Sequence, residues 1–298
     1  MLPFIDKQIV DNQIVDNQIV DDQIVDDQIA DKQIVDKQSF NKQAVADSFS
    51  KAASHYDQFA QLQRDIGAQL LNNMRLLDKP SPIEIIDLGC GTGYFSEKLA
   101  TQYRHGKLTC FDLSDAMLAQ VKKRNINNAS VQQGDIDALP FSKNSVDVIY
   151  SNLVVQWSDD LASCLTQIKH SLKTGGQAYI STLLNGTLNE LTQAWKSVDD
   201  NRHTNEFLDL TRIESILSLL GFSQVVVSTE TRTLHYQNVI EVMRALKGIG
   251  ANHVHLHKNV ALSGRKLIQQ LEAGYLPYQN EKGLLKLTYQ VCYIEITK

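Results

Sequence analysis

Residues 83–93 read Ile83-Glu84-Ile85-Ile86-Asp87-Leu88-Gly89-Cys90-Gly91-Thr92-Gly93, and they predict the central element of the fold. The first half is a short aliphatic run rich in β-branched residues, which predicts a buried strand. Three glycines end this run, and the amphipathic segment from Tyr94 to Tyr103 predicts a helix after them. Glycine adopts backbone dihedral angles closed to other residues, and its missing side chain lets a ligand touch the main chain. The stretch therefore predicts a ligand-binding turn between a strand and a helix.

The spacing of the glycines narrows the choice of ligand. A dinucleotide-binding turn requires a small residue three positions after its second glycine, and the bulky Tyr94 stands there. A phosphate-binding P-loop requires Gly-Lys followed by Ser or Thr, and this stretch lacks that ending. NAD, ATP and GTP are therefore disfavoured. The remaining pattern, Asp-x-Gly-x-Gly-x-Gly from Asp87 to Gly93, resembles the first motif of the class I S-adenosylmethionine (SAM) methyltransferases, whose acidic residue and turn backbone hold the amino-acid end of the cofactor.

Two later acidic segments follow the same resemblance. Asp112 ends a second strand-like run, at the position where doubly wound folds place an acid on ribose hydroxyls. Asp135 and Ile136 resemble the family segment in which an acid contacts the adenine amine and an apolar residue packs on the ring. The resemblance implies a cofactor site of ten residues: Asp87, Gly89, Gly91, Gly93, Asp112, Leu113, Met117, Asp135, Ile136 and Asn152.

Length and composition exclude several classes of protein. The chain has 298 residues, of which 43% are hydrophobic, and a formal net charge of -5, so it is long enough for one large α/β domain and not basic enough for a typical nucleic-acid binder. Its four cysteines lie far apart, which predicts neither a disulfide framework nor a zinc site and fits a reducing cytoplasm. Neither a membrane-spanning run nor a secretion signal is indicated. We therefore expect a cytoplasmic protein with no metal, no nucleic acid and no membrane partner.

Residues 8 to about 43 are a tandem pentapeptide with Gln-Ile-Val-Asp as its commonest copy. A period of five moves the Ile-Val pair around a helix axis and alternates it between the faces of a strand, so no single apolar face forms. We expect residues 1–40 to be a disordered or loosely helical tail, with an interaction or self-association role as the alternative. Residues 41–298 are then the folded domain.

The folded domain shows alternating helical and strand-like segments. Helices are predicted from Asn41 to Ala60 and from Leu62 to about Leu77, ahead of the first strand. Further strands are predicted at Leu108–Asp112, Val146–Ser151, Gln177–Leu183, Gln224–Thr229 and Tyr289–Ile296. This alternation predicts an α/β fold with a doubly wound sheet and helices on both faces. The methyltransferase resemblance implies a mostly parallel, seven-stranded, Rossmann-like sheet.

Four segments resemble a narrower family, the BioC-type malonyl-acyl carrier protein O-methyltransferases of biotin synthesis. They are Asn41–Ala60, Tyr150–Trp157, Leu191–Phe207 with Trp195, His203, Asn205 and Phe207, and Met243–Ala251. The most specific element is the string Leu246-Lys247-Gly248-Ile249-Gly250-Ala251. The resemblance runs from about Phe40 to Leu287-Thr288-Tyr289, so the repeat tail lies outside it.

The family implies methylation of the free carboxylate of a malonyl thioester on acyl carrier protein, with SAM as cofactor and S-adenosylhomocysteine as product. A carboxylate has an ordinary pKa near 4, so it is ionised at pH 7 and no general base is required. Catalysis then depends on positioning. We expect positioning by Tyr56, Trp157 and His203, with one of Arg64, Arg244 and Lys247 pairing the carboxylate, and helical lid segments near 41–78, 186–208 and 236–280.

The segment from Arg232 to Lys266 is locally basic. It contains six lysines and arginines and one acid, Glu241, together with four histidines. Such a patch would steer an acidic carrier protein and seat the phosphate of its phosphopantetheine arm, although an ordinary basic helix face is the simpler alternative. His253, His255 and His257 alternate along the chain without a nearby carboxylate, which indicates a solvated loop rather than a metal site.

Two other functions fit parts of the sequence. A class I methyltransferase acting on a free small acid or a quinone precursor would share the cofactor half but would not need the basic segment. A non-catalytic SAM-binding or carrier-binding module, with the repeat tail as its working part, would have no reason to keep every cofactor acid.

Overall fold

The computed structural model describes residues 41–75, 77, 82–251 and 264–298. The predicted tail, residues 1–40, lies outside the described residues, and so do the three alternating histidines of the basic segment. Within the described ranges the helices, including two short 3-10 turns, are α1 Lys42–Ala52, α2 Tyr56–Phe59, α3 Gln61–Asn73, α4 Tyr94–Gln102, α5 Asp115–Lys123, the 3-10 turn Val155–Trp157, α6 Leu161–Ser171, α7 Asn189–Trp195, α8 Leu210–Leu219, α9 Val239–Gly248, α10 Gly264–Tyr275 and the 3-10 turn Leu276–Tyr278. The strands are β1 Glu84–Leu88, β2 Lys107–Asp112, β3 Ala129–Gln133, β4 Val146–Asn152, β5 Leu172–Leu183, β6 Gln224–Tyr236 and β7 Leu285–Thr297.

The described strands form one seven-stranded sheet in the order β3-β2-β1-β4-β5-β7-β6. The first five strands pair in parallel, while β7 pairs antiparallel with both β5 and β6. The chain passes from β1 to β2 and β3 on one side and returns to β4 on the other. A doubly wound sheet binds ligands at this switch point, beyond the carboxyl ends of its strands. The predicted fold class is confirmed.

Two apolar clusters cover the two faces of the sheet. One joins α3 and α4 to the strands through Ile66 and Leu99, both fully buried. The other joins α6 and α8 to the strands through Leu165 and Leu217. Because helices cover both faces, β4 is buried along almost its whole length, and its centre is the apolar run Val148-Ile149-Tyr150.

The structure differs most from the sequence predictions at three elements, while β5 and β7 begin earlier than predicted, at Leu172 and Leu285, and α3 ends earlier, at Asn73. The helix predicted from Asn41 to Ala60 is divided into α1 and α2, because His55 leaves the helical region with φ -128° and ψ 2°. The sequence does not predict the strand β3, because Ala-Ser-Val-Gln-Gln contains few apolar residues. The strand β6 is seven residues longer than predicted and pairs with β7 from Gln224 to Tyr236.

None of the helices in the described ranges has the length and apolar character needed to cross a membrane.

Candidate active site

The turn after β1 has the backbone conformation that the glycines predicted. Gly89, Gly91 and Gly93 have φ angles of 71°, 54° and 82°, a region that favours glycine. A side chain at Gly89 would also collide with Val154, because its Cβ would lie 2.2 Å from a methyl carbon. At Gly91 a Cβ would meet no atom within 4 Å. The main chain at Gly91 is therefore open to a ligand.

A cavity of about 90 Å³ lies at this turn, at the carboxyl ends of β1, β2 and β4. Eight of the ten predicted cofactor residues line it: Gly89, Gly91, Asp112, Leu113, Met117, Asp135, Ile136 and Asn152. The α1 residues Lys42, Val45, Ala46 and Phe49 cover the cavity from the opposite side. We call this space the cofactor cavity.

Asp112 is held firmly at the wall of the cofactor cavity. Its two carboxylate oxygens accept hydrogen bonds from the backbone N–H groups of Gly91 and Ser114, each at 2.8 Å. Burial raises the pKa of Asp112, while the N–H donors of Ser114, Gly91 and Leu113 oppose that rise. A carboxylate fixed in this way can still accept hydroxyl donors with its remaining lone pairs.

The other two predicted cofactor residues do not line the cavity. Asp87 is buried behind the turn, where its carboxylate accepts a hydrogen bond from the Ser96 hydroxyl at 2.5 Å. Burial raises the pKa of Asp87 to about 7, against the Ser96 hydrogen bond, and the nearby Asp112 raises it further. Gly93 precedes α4 and faces Val121. Direct contact between either residue and the cofactor stays a prediction.

Lys42 fixes the start of α1 over the cofactor cavity. Its Nζ lies 2.5 Å from Asp137 Oδ2 and 3.3 Å from Asp135 Oδ1, and it donates to the backbone oxygen of Trp157 at 2.8 Å. Burial lowers the pKa of Lys42, but the hydrogen bond and charge of Asp137 outweigh burial, so the pKa is raised overall. The lysine therefore ties α1 to the predicted adenine segment.

A larger cavity of about 260 Å³ adjoins the first. Most of its wall is apolar, and residues from all three predicted lid segments contribute to it. Four residues border both cavities: Phe49, Tyr56, Leu153 and Trp157. The rings of Phe49 and Trp157 meet edge to face at 5.5 Å in this shared wall. We call the larger space the acceptor cavity, because a group bound there would lie next to a cofactor in the first.

Some of the predicted positioning and substrate residues line the two cavities, and others line neither. Tyr56 and Trp157 lie in the shared wall, and His203 and Lys247 line the acceptor cavity. Arg64 lines neither cavity, because its guanidinium donates to the Asp57 backbone oxygen and to Gln61 Oε1 and lies over the Tyr94 ring. Arg244 is exposed on α9 and also lines neither cavity. Of the three predicted cations, only Lys247 lies at the acceptor cavity.

Comparison with known proteins identifies the family. Residues 86–180 match the family described as "Methyltransferase domain". The chain is 40% identical over 251 residues to the malonyl-[acyl-carrier protein] O-methyltransferase of Serratia marcescens, a match that covers 84% of this chain and 93% of that protein. The chain belongs to the malonyl-[acyl-carrier protein] O-methyltransferase family. The family predicted from the sequence is thus confirmed.

Two further matches agree with membership of this O-methyltransferase family. The biotin biosynthesis bifunctional protein BioHC of Cellvibrio japonicus is 36% identical over 255 residues, which cover 85% of this chain and 50% of that longer protein. A solved structure of a candidate methyltransferase from Bacillus halodurans superposes with a TM-score of 0.56 at 15% identity, covering 78% of this chain and 99% of that one. At this identity the structural match supports the fold alone.

Lys42 and Gln63 are two residues of this candidate site that were not predicted from the sequence. Lys42 could not be found by any spacing rule, because its partner Asp137 lies 95 positions away. Gln63 lines the acceptor cavity, and for this residue the sequence did contain a usable pattern. Position 63 falls three before Ile66 and seven before Leu70, so Gln63 is a polar residue on the apolar face of a helix.

Proposed function

We propose that this protein transfers the methyl group of S-adenosylmethionine to the free carboxylate of malonyl-acyl carrier protein, giving the methyl ester that begins pimeloyl synthesis for biotin. The observation that carries the proposal is the pair of adjoining cavities with a shared four-residue wall in a chain of this family. In the reaction a carboxylate oxygen forms a bond to the methyl carbon with its own electron pair. The carbon–sulfur bond breaks, its electrons stay on sulfur, and S-adenosylhomocysteine leaves without any proton transfer.

The cofactor cavity fits this cofactor by the chemistry of its wall. Asp112 would accept the ribose hydroxyls, Asp135 and Ile136 would hold the adenine, and the open main chain at Gly91 would receive the amino-acid end. S-adenosylmethionine supplies an electrophilic methyl group on a sulfonium. Within the described residues there is no cluster of three or more His, Cys, Asp or Glu side chains that could hold a metal ion.

The residues of the acceptor cavity would orient the substrate carboxylate and would not act as a general acid or base. Tyr56 and Trp157 in the shared wall would orient the carboxylate, and burial keeps Tyr56 protonated by raising its pKa. A phenol that remains protonated can donate a hydrogen bond to an anion. Closing the site around an already ionised nucleophile can accelerate the reaction by proximity alone.

The carrier protein would dock on α9. Ile240, Arg244 and Lys247 stand at i, i+4 and i+7 and share one exposed face, and Arg265 and Lys266 are exposed at the start of α10. Lys247 also lines the acceptor cavity, so the basic surface reaches its mouth. An acidic partner arriving there would be steered by charge, and its arm would enter the cavity beside Lys247.

We place the protein in the cytoplasm. Its four cysteines, Cys90, Cys110, Cys164 and Cys292, are free and buried. Burial raises the pKa of Cys164 and of Cys292 to about 12 in each case, so both remain thiols. Free thiols fit a reducing compartment.

Intact-protein mass spectrometry tests the reaction. We expect malonyl-acyl carrier protein to gain one methyl group faster than malonyl-CoA or free malonate, at a rate that falls as salt is added. No methyl on the carrier while free malonate or another small acid is methylated would overturn the carrier-bound substrate. A rate that does not change with salt would overturn docking by charge.

Calorimetric titration with S-adenosylmethionine tests the cofactor cavity separately. Asp112→Asn should weaken binding by roughly tenfold or more, because a hydrogen bond to a charged group is lost at each hydroxyl. Asp115→Asn, an exposed aspartate just beyond it, is the matched control. Equal affinity of the two variants would contradict the ribose assignment.

A further inference from the structure

Two residues in the wall of the acceptor cavity carry buried polar atoms that no described neighbour satisfies. Among the described residues, Gln63 Oε1 and His203 Nδ1 have no hydrogen-bond partner although both are inaccessible to solvent. Both residues line the acceptor cavity. Native proteins satisfy nearly all buried polar atoms, and an unsatisfied one destabilises the fold. Two such atoms on one mostly apolar cavity therefore suggest partners supplied by a ligand.

His203 is held so that only one nitrogen is available. Its side chain is 4% exposed, and its ring stacks on Trp195 with centroids 3.8 Å apart and planes 12° apart. Nε2 lies 2.7 Å from Asp199 Oδ1, so this carboxylate fixes the orientation of the ring. Burial opposes ionisation of Asp199, but the hydrogen bond from His203 outweighs it, and the pKa of Asp199 is lowered. Nδ1 is then the ring nitrogen that has no partner among the described residues, and a histidine nitrogen in this position donates to an anion when the imidazole carries both protons.

Gln63 lies next to the cofactor side of the acceptor cavity. Its backbone oxygen accepts a hydrogen bond from Asn152 Nδ2 at 3.0 Å, and Asn152 lines the cofactor cavity. The oxygen and nitrogen of a glutamine amide exchange places by rotation about one bond. The same side chain can therefore turn its N–H group toward an anion in the acceptor cavity.

We propose that Gln63 and His203 bind the malonyl carboxylate, with Asp199 as the positioning residue behind the imidazole. The proposal rests on the proposed function and names the residues that select its substrate. A carboxylate entering an apolar cavity loses its hydration and needs donors in return. Lys247 is exposed and Arg64 and Arg244 line neither cavity, whereas Gln63 and His203 offer buried atoms that still lack partners among the described residues. No bond to either residue is made or broken.

Conservative variants separate a binding role from a structural one. Gln63→Met keeps the length of the side chain, and His203→Phe keeps the ring that stacks on Trp195. We expect the KM for malonyl-acyl carrier protein to rise by roughly tenfold or more in each variant, with the Kd for S-adenosylmethionine within about twofold of the wild type. The melting temperature of Gln63→Met should stay level or rise, since this variant removes an unsatisfied polar atom. His203→Phe also loses the hydrogen bond to Asp199, so its melting temperature should fall slightly and its KM is the deciding measurement. A purely structural role of Gln63 predicts a lower melting temperature for Gln63→Met instead.

A substrate analogue without the carboxylate gives the decisive comparison. Acetyl-acyl carrier protein carries the same arm and thioester, so its inhibition constant should stay within about twofold in both variants. His203→Asn should recover part of the lost activity, because its amide N–H lies near the position of Nδ1. Gln69→Met on the same helix and His105→Phe on the surface are the matched controls, and both positions are exposed.

These experiments distinguish a failure of the proposed function from a failure of the carboxylate-binding assignment. If the wild-type protein does not methylate malonyl-acyl carrier protein, the proposed function fails. If the wild type does so and the Gln63 and His203 variants keep their KM, the present proposal alone is overturned. It is equally overturned if the acetyl carrier loses affinity in parallel with the malonyl carrier. Gln63→Leu and His203→Gln replace any variant that does not fold.

Discussion

Two carboxylates lie next to the glycine turn, and their different surroundings predict different effects on cofactor binding and on stability. Asp112 accepts two backbone N–H groups and faces the cofactor cavity. Asp87 accepts the Ser96 hydroxyl, lies away from the cavity and is 2% exposed. An anion as buried as Asp87 is costly unless donors or cations compensate it. The charge at Asp87 therefore lowers the stability of the ligand-free fold at neutral pH.

The pH dependence of stability tests this cost. Burial raises the pKa of Asp87 from 3.8 to about 7 in the folded protein. Between those values the folded state binds more protons than the unfolded state, so the free energy of unfolding falls as pH rises through that window and levels off above it. Asp87→Asn cannot ionise, so its melting temperature should exceed that of the wild type by more at about pH 8 than at about pH 4.

Thermal melts of both proteins across this range provide the measurement. Asp115→Asn, an exposed aspartate, should show no such divergence. A constant difference between Asp87→Asn and the wild type at all pH values would mean that Asp87 is not the titrating group.

At the scale of elements, the most specific part of the sequence resemblance has a packing role. The Leu246–Ala251 string covers the last three residues of α9 and the turn after it, and it packs against α1 and α2. A Cβ at Gly248 would lie 2.3 Å from the Phe59 ring, and a Cβ at Gly250, whose φ is 70°, would lie 3.2 Å from Phe49 Cα. Because Phe49 borders both cavities, this contact sets the position of the shared wall.

Gly248→Ala should therefore destabilise the protein by about 1–3 kcal/mol, since the added methyl group must displace Phe59 or α9. Urea unfolding gives the change in stability. Gly264→Ala in α10 is the matched control, because a Cβ there meets no atom within 4 Å and alanine favours helix. Equal stability of the two variants would show that α9 does not pack this tightly on Phe59.

Some elements and site residues could be predicted from the sequence, and others could not. The strands β1, β2 and β4 could be predicted because their aliphatic runs are local signals. The resemblance to class I methyltransferases implied eight of the residues that line the cofactor cavity. Lys42 could not be predicted, because its contact depends on packing between segments 95 residues apart. Arg64 lies away from both cavities because it donates hydrogen bonds to Asp57 and Gln61, and the sequence pattern did not predict these bonds.

At the scale of the whole molecule, the residues in the described ranges that line the two cavities lie between Lys42 and Tyr289. The match to the Serratia marcescens relative covers 251 residues, or 84% of the chain. Asn41 is the N-cap of α1, because its side chain accepts a hydrogen bond from the Ala44 N–H at 3.0 Å. The methyl-transfer site is therefore expected to function without the pentapeptide repeats.

Two truncations that differ by four residues test this expectation. Removal of residues 1–40 keeps Asn41 and Lys42, and kcat/KM for malonyl-acyl carrier protein should stay within about twofold of the full chain. Removal of residues 1–44 also deletes the helix cap and the Lys42 contacts with Asp135 and Asp137, so affinity for S-adenosylmethionine should fall by roughly tenfold. If the shorter deletion already abolished turnover while cofactor affinity and melting temperature were unchanged, the repeats would contribute directly to carrier recognition. If instead both truncations bound cofactor like the full chain, Lys42 would not secure α1 over the cofactor cavity.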